Sequence, residues 1–217
     1  MTRLSCAGLG WATGGRFVFA DVALALQPAT LTVVTGANGA GKSSLIRLLA
    51  GDHRPSRGSI ALDHVPLERI DPRHLARRIA RLDHAPGLYL DLSARENLAL
   101  FQTLLGRDPR PAEVEARLGA VGIGARDADR PVRGFSRGML QRTALARVIG
   151  SAADVWLLDE PSAGLDASGT ATLCEVLMRE RQRGTAVLAA THDPALAALA
   201  DVHLRLEGGR LAPAERA

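Results

Sequence analysis

Aromatic residues are scarce in this chain of 217 residues, at 3% of its composition. This scarcity argues against a protein that binds nucleic acid through stacked aromatic side chains. The sequence has no apolar run near the roughly 20 residues that span a bilayer, and its first residues lack the apolar core of a signal peptide. The two cysteines, Cys6 and Cys174, lie far apart and form no metal or redox spacing. We therefore expect a cytosolic chain with both thiols reduced.

Lysine is almost absent: Lys42 is the only one among 27 basic residues, and arginine supplies all the others. With 23 acidic residues the formal net charge is +4, an excess too small to indicate a nucleic-acid partner by itself. The two basic side chains differ in shape, because a guanidinium is wide and planar whereas an ammonium is compact. A single retained lysine therefore predicts a position that only the compact ammonium can fill.

The densest basic stretch leaves two interpretations open. It is either a solvated helix face or a surface that lies near anionic lipid headgroups or nucleic acid. Its members are Arg69, Arg73, Arg77, Arg78 and Arg81.

Short apolar runs alternate with helical segments along most of the chain. Hydrophobic residues make up 47% and charged residues 23%, as is typical of a folded domain. Alternating strands and helices predict a mostly parallel sheet with both faces covered. We predict strands at 31–35, 59–62, 79–82, 155–158, 186–190 and 202–206, and helices at 42–50, 136–149, 168–183 and 194–200.

The stretch from about residue 87 to 150 is predicted to contain helices only. Ser93 and Glu96 have the spacing of a capping box before an apolar run, Pro111 suits the first turn of a helix, and Ser136 suits an N-cap. We therefore predict one domain over residues 1–217. Its core consists of residues 1–86 and 151–217, and a helical subdomain is inserted at about 87–150.

Residues 36–43 have the complete spacing of a phosphate-binding loop, between a β run and a helical segment. Glycines in such a loop let backbone N–H groups surround a phosphate, and the following helix directs its positive end to the same point. We expect Lys42 to reach the β- and γ-phosphates and the hydroxyl of Ser43 to bind Mg²⁺. The residues of this segment expected to bind ATP are Gly36, Ala37, Asn38, Gly39, Ala40, Gly41, Lys42, Ser43 and Ser44.

An acidic pair, Asp159 and Glu160, follows the apolar run at 155–158. Open α/β sheets bind ligands at the carboxyl ends of their strands. We expect Asp159 to hold Mg²⁺, directly or through water, and Glu160 to polarise the attacking water as a general base. Two acidic residues after a strand are common in proteins, so the catalytic interpretation depends on the phosphate-binding loop.

Three further segments resemble the ABC (ATP-binding cassette) family of ATPases. FSRGM at 135–139 is similar to the signature segment, SAGLD at 162–166 to the D-loop, and AATHD at 189–193 to the strand end that carries the switch histidine. With the phosphate-binding loop and the acidic pair, five motifs in the family's order cover essentially the whole chain. The resemblance assigns site roles to Ser136, Arg137, Gly138, Met139, Asp166 and His192.

The resemblance implies a P-loop NTPase core of the ABC type, with an antiparallel β region at the N-terminus and an inserted α-helical subdomain. In this family the signature segment binds the γ-phosphate held by the other protomer, so two chains enclose two ATP molecules. The implied ligands are ATP and Mg²⁺. His192 is expected to contact the γ-phosphate and orient water, which makes Glu160 and His192 the expected catalytic residues.

Two positions depart from the family's sequence. A glutamine that senses Mg²⁺ and the γ-phosphate usually follows the strand at 79–82. Here His84 stands in that place, as an expected ATP contact and a candidate Mg²⁺ contact whose imidazole can donate or accept one hydrogen bond. An aromatic residue usually stacks on adenine, and the aligned position is Thr13. Trp11 lies on the same face if this segment is extended, and it either replaces the missing aromatic or packs in the core.

These departures, the FSRGM signature and a short C-terminus together resemble the ATP-binding subunits of bacterial haem exporters used in cytochrome c maturation. That narrower resemblance implies ATP hydrolysis coupled to haem export. It also implies a homodimer of ATP-binding subunits on transmembrane permease subunits, peripheral to the cytoplasmic side of the bacterial inner membrane, with no nucleic acid bound. The apolar residues at 88–92 are expected either to dock on the permease or to be buried between the subdomains.

Two alternatives remain at this point. The first keeps the ATPase and changes the cargo to a lipid, a polysaccharide or a drug. The second is a soluble ABC module that acts on nucleic acid or ribosomes, although such modules usually carry two cassettes or long coiled-coil insertions. A small-molecule kinase would give no reason for the segment at 135–139.

Overall fold

The computed structural model of the protein describes residues 3–214. Its strands are β1 (Leu4–Thr13), β2 (Arg16–Leu26), β3 (Leu31–Thr35), β4 (Arg57–Leu62), β5 (Val65–Pro66), β6 (Ile79–Leu82), β7 (Val155–Asp159), β8 (Ala186–Ala190), β9 (Val202–Glu207) and β10 (Arg210–Pro213). Its helices are α1 (Lys42–Leu49), α2 (Pro72–Arg78), α3 (Ala94–Leu104), α4 (Pro111–Ala120), α5 (Ala125–Ala128), α6 (Arg137–Ser151), α7 (Ala167–Gln182) and α8 (Pro194–Ala198). Two short 3-10 turns lie at Leu67–Arg69 and Val132–Gly134.

The larger sheet has the strand order β10-β9-β3-β8-β7-β6. Its neighbouring strands run parallel, except that β10 is antiparallel to β9. Because parallel neighbours point the same way, the carboxyl ends of β3, β7 and β8 meet at one edge, where open α/β sheets bind ligands. The predicted α/β class, with a mostly parallel sheet, an antiparallel β region and helices between β6 and β7, is confirmed.

Strand β7 is buried on both faces of this sheet. Trp156 and Leu158 pack in a core with residues of α3, α4, α6 and α7. Val155 and Leu157 point to the opposite face and pack with α1 and the antiparallel strands. Successive side chains of a strand alternate between faces, so a strand covered on both sides must be apolar throughout. This is why the run at 155–158 has no polar residue until it reaches the edge of the sheet.

The smaller sheet is antiparallel and has the order β2-β1-β4-β5. The register of β1 against β2 shifts between Trp11 and Ala12, which interrupts the alternation that would place Trp11 and Thr13 on one face. Trp11 is partly buried against the core and stacks on His53, with ring centroids 5.4 Å apart. Thr13 is exposed. Of the two interpretations of Trp11, these contacts favour packing.

Helices α3 to α6 occupy the chain between β6 and β7. The predicted capping box is present, because the Ser93 hydroxyl accepts from the Glu96 N–H at 3.2 Å and the Glu96 carboxylate accepts from the Ser93 N–H at 2.8 Å. The stretch is not purely helical, since Ser93 also forms an isolated β-bridge with Pro131. The division of the chain into a core and a subdomain stays a prediction. Within residues 3–214, no helix has both the length and the apolar character needed to cross a membrane.

The arginine-rich stretch is not one helix face. Arg73, Arg77 and Arg78 lie on α2, whereas Arg69 lies in the first 3-10 turn and Arg81 on β6. Arg73 and Arg77 are exposed, as a solvated face requires. Arg78 and Arg81 instead form ion pairs with carboxylates of neighbouring segments, namely Asp52, Asp63, Asp83 and Asp154. The alternative of a surface near anionic lipid or nucleic acid stays a prediction.

Candidate active site

The phosphate-binding loop joins the end of β3 to the start of α1. Its last residue before the helix, Gly41, has a φ of 104°, which a residue with a side chain rarely adopts. A Cβ at Gly41 would come within 2.7 Å of Val18 Cγ1 and 3.0 Å of Phe19 Cδ1. Strand β2 therefore presses directly on the loop, and only glycine fits at the turn into α1.

The side chain of Lys42 is held inside this loop. Lys42 is only 7% exposed, and its Nζ donates to the carbonyl of Gly36 at 2.6 Å and to that of Ala37 at 3.3 Å. A buried ammonium needs such acceptors, because its charge is costly to desolvate. Three donors on one compact nitrogen satisfy several acceptors at once, whereas a planar guanidinium would need more width.

The acidic pair lies at the carboxyl end of β7, beside the loop. Asp159 is the last residue of the strand and is 4% exposed. Glu160 follows with a φ of 48°, a left-handed conformation that is uncommon for residues other than glycine. Its N–H donates to the carbonyl of Ala190 at 2.8 Å. Neighbouring strand β8 therefore anchors the backbone that carries the Glu160 carboxylate.

His192, just after β8, connects the acidic pair to the loop. Its Nε2 lies 3.1 Å from Lys42 Nζ, 3.1 Å from Asn38 Oδ1 and 3.4 Å from Glu160 Oε1. An ammonium only donates and the two oxygens only accept, so Nε2 faces Lys42 as a bare acceptor or faces the oxygens as an N–H donor. The imidazole can therefore change partners with its tautomer or protonation state.

A cavity of about 410 Å³ opens beside Lys42 and the acidic pair, and His192 is not among its lining residues. His84 lines it together with Lys42, Asp159 and Glu160, so the structure brings His84 to the place predicted for it. Within the described chain, no phenylalanine, tyrosine or tryptophan lines this cavity, and Val18 is its apolar wall. The lining residues are Val18, Asn38, Gly39, Gly41, Lys42, Ser43, Ser44, His84, Asp159 and Glu160.

The signature segment is not part of this cavity. Ser136 caps α6, and its hydroxyl accepts from the Met139 N–H at 3.2 Å. Ser136 and Arg137 are exposed, and Gly138 and Met139 are partly so. The start of α6 thus presents an accessible helix N-terminus, which attracts anions, and none of residues 136–139 lines the cavity.

The predicted D-loop residue Asp166 caps α7. Its carboxylate accepts from the Gly169 N–H at 2.7 Å and from the Arg142 guanidinium at 2.9 Å. These bonds, chiefly that from the Gly169 N–H, lower the pKa of Asp166. Asp166 does not line the cavity, and it links the segment after Glu160 to helix α6.

Two contributors to the site were not predicted. Val18 presses on Gly41 and lines the cavity. Gln141, two residues after the signature segment, donates from its side chain to the carbonyls of Glu160 at 3.4 Å and Pro161 at 3.0 Å. Neither role has a local sequence signal, since each arises where two distant segments meet.

The family described as ABC transporter matches residues 19–163 of the chain. Over 189 residues the chain is 39% identical to the "Cytochrome c biogenesis ATP-binding export protein CcmA" of Cupriavidus necator, which covers 87% of this chain and 82% of that protein. The protein of the same name from Methylococcus capsulatus is 37% identical over 189 residues, covering 87% of this chain and 90% of that protein.

Solved structures agree with the fold. One described as the ATP-binding subunit of an ABC transporter superposes with a TM-score of 0.88 at 27% identity, covering 98% of this chain and 90% of that chain. A dimeric ATP-binding cassette in a post-hydrolysis state with ADP and Pi superposes with a TM-score of 0.88 at 20% identity, covering 99% of this chain and 100% of that chain. At 20% identity the second likeness shows the fold alone.

Proposed function

The chain belongs to the ABC transporter family, and we propose that it is the ATP-hydrolysing subunit of a bacterial haem exporter that serves cytochrome c biogenesis. The resemblance to the ABC family that the sequence motifs indicated is confirmed by the family match over residues 19–163. The names of the relatives support cytochrome c biogenesis as the process. The geometry of the candidate site supports the hydrolysis.

One observation gives the main support for hydrolysis: side chains from three distant segments meet at the Nε2 atom of His192. Lys42, Glu160 and His192 follow three different parallel strands, and both other side chains lie within 3.4 Å of His192 Nε2. A cation, a base and an imidazole at one edge of a sheet form a set that can bind a terminal phosphate and activate water beside it.

Each residue has a distinct task in the proposed reaction. The carbonyls that now hold Lys42 Nζ are weaker acceptors than phosphate oxygens, so the ammonium can turn to ATP with little movement. Glu160 accepts the proton of the attacking water. His192, freed from Lys42, donates from Nε2 to the γ-phosphate and keeps the water in line.

The donor set fits Mg²⁺. Ser43 and Asp159 line the same cavity and offer a hydroxyl and a carboxylate oxygen, and Mg²⁺ prefers such hard ligands together with substrate phosphates. When bound, Mg²⁺ neutralises charge on the phosphates. His84 lines the same cavity, which supports a hydrogen bond from its imidazole to a phosphate oxygen.

The exposed start of α6 supports a second chain as part of the site. Ser136 and Arg137 are exposed and do not line the cavity beside their own phosphate-binding loop, so they are available to an ATP molecule held by another copy. We include in the proposal a two-fold dimer with two ATP molecules at its interface, in which each chain uses the same surface.

Phosphate release from MgATP by the purified protein tests the hydrolysis. We expect turnover that EDTA abolishes and Mg²⁺ restores. If neither the chain nor its complex with the membrane subunits releases phosphate from ATP, the proposal is contradicted.

A cleft between α2, β6, α3 and α6 supports docking on a transmembrane subunit. It has a volume of about 130 Å³ and is lined mostly by apolar side chains, including Phe101 and Leu104. Leu104 is 65% exposed at its rim, and Tyr89 and Leu90 nearby are 53% and 55% exposed. Leu88, by contrast, packs against the core. Within the segment 88–92, Tyr89 and Leu90 are therefore available to a partner, and docking on a permease stays a prediction.

Arg147 and Gln102 add polar groups to the lining of the cleft. Arg147 lies over the ring of Phe101, with Cζ 4.6 Å from the centroid, and its Nε is buried without a hydrogen-bond partner. Gln102 Nε2 is also buried without a partner. Burial lowers the pKa of Arg147. A partner segment with an apolar side chain would cover the exposed rim of the cleft, and a carboxylate on it would complement the charge of Arg147.

Co-purification from detergent-solubilised membranes tests this docking surface. Leu104→Asp should release the chain from the membrane subunits, because it places a carboxylate on the apolar rim. Met178→Asp on α7, where Met178 is 42% exposed, is the matched control and should remain bound. Equal retention of both variants would place the docking surface elsewhere.

The cargo is tested in the bacterium. Deleting the gene should abolish covalently bound haem in c-type cytochromes and leave b-type haem in place, and the wild-type gene but not Glu160→Gln should restore it. Normal c-type cytochromes in the deletion strain would reject haem export and favour an exporter of another cargo.

A further inference from the structure

Gln141 on helix α6 hydrogen-bonds the backbone that carries the proposed general base, Glu160. The side chain is 4% exposed. Its amide nitrogen donates to the carbonyl of Glu160 at 3.4 Å and to that of Pro161 at 3.0 Å. A primary amide has two N–H donors, and these two carbonyls use both of them.

The backbone at Glu160 needs such support. Its φ of 48° costs free energy for a residue with a side chain, and such conformations persist where the surroundings hold them. The Ala190 carbonyl holds the Glu160 N–H from one side at 2.8 Å. Gln141 holds the two following carbonyls from the other side. The direction of the Glu160 carboxylate therefore depends on both contacts.

Helix α6 also carries the signature segment at its first turn. Gly138 lies so close to the D-loop that a Cβ on it would be 2.8 Å from the Gly164 carbonyl, and Arg142 pairs with Asp166 at 2.9 Å. The start of α6 and the segment after β7 are thus packed as one unit. A shift of α6 would move the two carbonyls that Gln141 holds.

We propose that Gln141 is a positioning residue that sets the direction of the general base Glu160 and couples it to the position of the signature helix. The inference rests on the proposed function. It adds a link within one chain: a signature segment that engages ATP in the other protomer also places the base for its own ATP.

The variant Gln141→Met tests the link, because methionine keeps the length of the side chain and removes both donors. A small misplacement of a catalytic group costs on the order of 10- to 100-fold in rate, and we expect a fall of that size in kcat. The KM and the number of ATP molecules bound per chain should stay within about twofold, since the phosphate-binding loop is not touched.

Thr143→Val is the matched control on the same helix. Thr143 is fully buried, and its hydroxyl donates to the Met139 carbonyl at 2.9 Å, a bond that stays within α6. This variant loses a buried hydrogen bond without loosening the segment at 160–161, so its kcat should be close to that of the wild type. If both variants lose activity equally, Gln141 has a structural role only.

A double-mutant cycle with Glu160→Gln distinguishes a positioning role of Gln141 from a purely structural one. If Gln141 acts through Glu160, then Gln141→Met should cost little further rate once the base is absent, measured by single-turnover hydrolysis of radiolabelled ATP. Additive losses, or a kcat of Gln141→Met equal to that of the wild type, would overturn the inference. An inactive wild type would instead overturn the proposed function.

Discussion

The phosphate side and the signature side of the proposed ATP site are built in opposite ways. On the phosphate side Lys42 and Asp159 are 7% and 4% exposed, and His192 contacts three side chains from two other segments. On the signature side Ser136 is exposed, and its hydroxyl accepts from the Met139 N–H of its own helix. One side is assembled by the fold of a single chain, whereas the other presents an accessible helix end.

This difference indicates which part of the proposed ATP site a single chain leaves open. A buried ammonium must be partnered inside the fold, as Lys42 Nζ is by the carbonyls of Gly36 and Ala37, because unpaired burial is costly. A helix N-terminus can remain open to water at little cost, since water satisfies its N–H groups. The phosphate side is therefore preorganised, and in the proposed dimer the signature side would take its ligand from the second chain.

The largest expected effect is at Glu160, on the phosphate side. Glu160→Gln keeps the shape and removes the base, so phosphate release should fall about 10²- to 10⁴-fold while MgATP binding is retained. The ATP-bound dimer should accumulate and appear in size-exclusion chromatography with MgATP. Normal turnover in this variant would remove Glu160 from the role of general base.

Next in size is the exchange of the lone lysine. Lys42→Arg should lower turnover by roughly 10- to 100-fold, because a guanidinium is too wide for the carbonyls that hold Lys42 Nζ. Arg47→Lys, on the exposed side of the same helix, is the reciprocal control and should be neutral. Wild-type activity in the lysine-free chain would mean that the single lysine is an accident of composition.

Substitutions on the signature side should lower the rate of ATP turnover and leave the affinity for ATP unchanged. Gly138→Ala places a Cβ 2.8 Å from the Gly164 carbonyl, so it should displace the start of α6 and lower turnover about tenfold, with ATP affinity of the single chain unchanged. Gly150→Ala, later on the same helix, meets its nearest neighbour at 3.5 Å and should be tolerated. Weaker ATP binding by the isolated Gly138→Ala chain would break the comparison between the two sides.

The smallest effect concerns the base of the nucleotide. With Thr13 exposed and no phenylalanine, tyrosine or tryptophan described along the cavity, stacking worth about 1–3 kcal/mol is missing. GTP should compete with ATP within roughly tenfold, or about 1.4 kcal/mol, and Thr13→Tyr should tighten ATP binding.

Trp11→Ala separates packing from nucleotide binding. Because Trp11 stacks on His53 and packs against the core, its loss should lower the free energy of unfolding by about 1–3 kcal/mol and leave ATP affinity unchanged in competition binding. A large loss of affinity with the fold intact by circular dichroism would identify Trp11 as the adenine contact.

Most of the strands and helices could be predicted from the sequence, because their signals are local. The runs at 31–35, 79–82 and 186–190 are strands with the predicted bounds, and the capping box at Ser93 and the N-cap at Ser136 are present. The roles of the arginines were predicted less well. Arg78 and Arg81 are paired with carboxylates far along the chain, and no local spacing reveals such partners.

The sequence by itself determined which chemical groups this protein has. The phosphate-binding loop, the acidic pair, the histidine and the signature segment are each short and contiguous, so each can be recognised from its residue order alone. Only the tertiary structure decided how they are connected. Three contacts arise where distant segments pack together. His192 lies between Lys42 and Glu160, Val18 packs against Gly41, and Gln141 hydrogen-bonds the backbone of the proposed general base. Such contacts depend on the order of strands and the crossing of helices, and these follow from the burial of the whole chain rather than from any one motif.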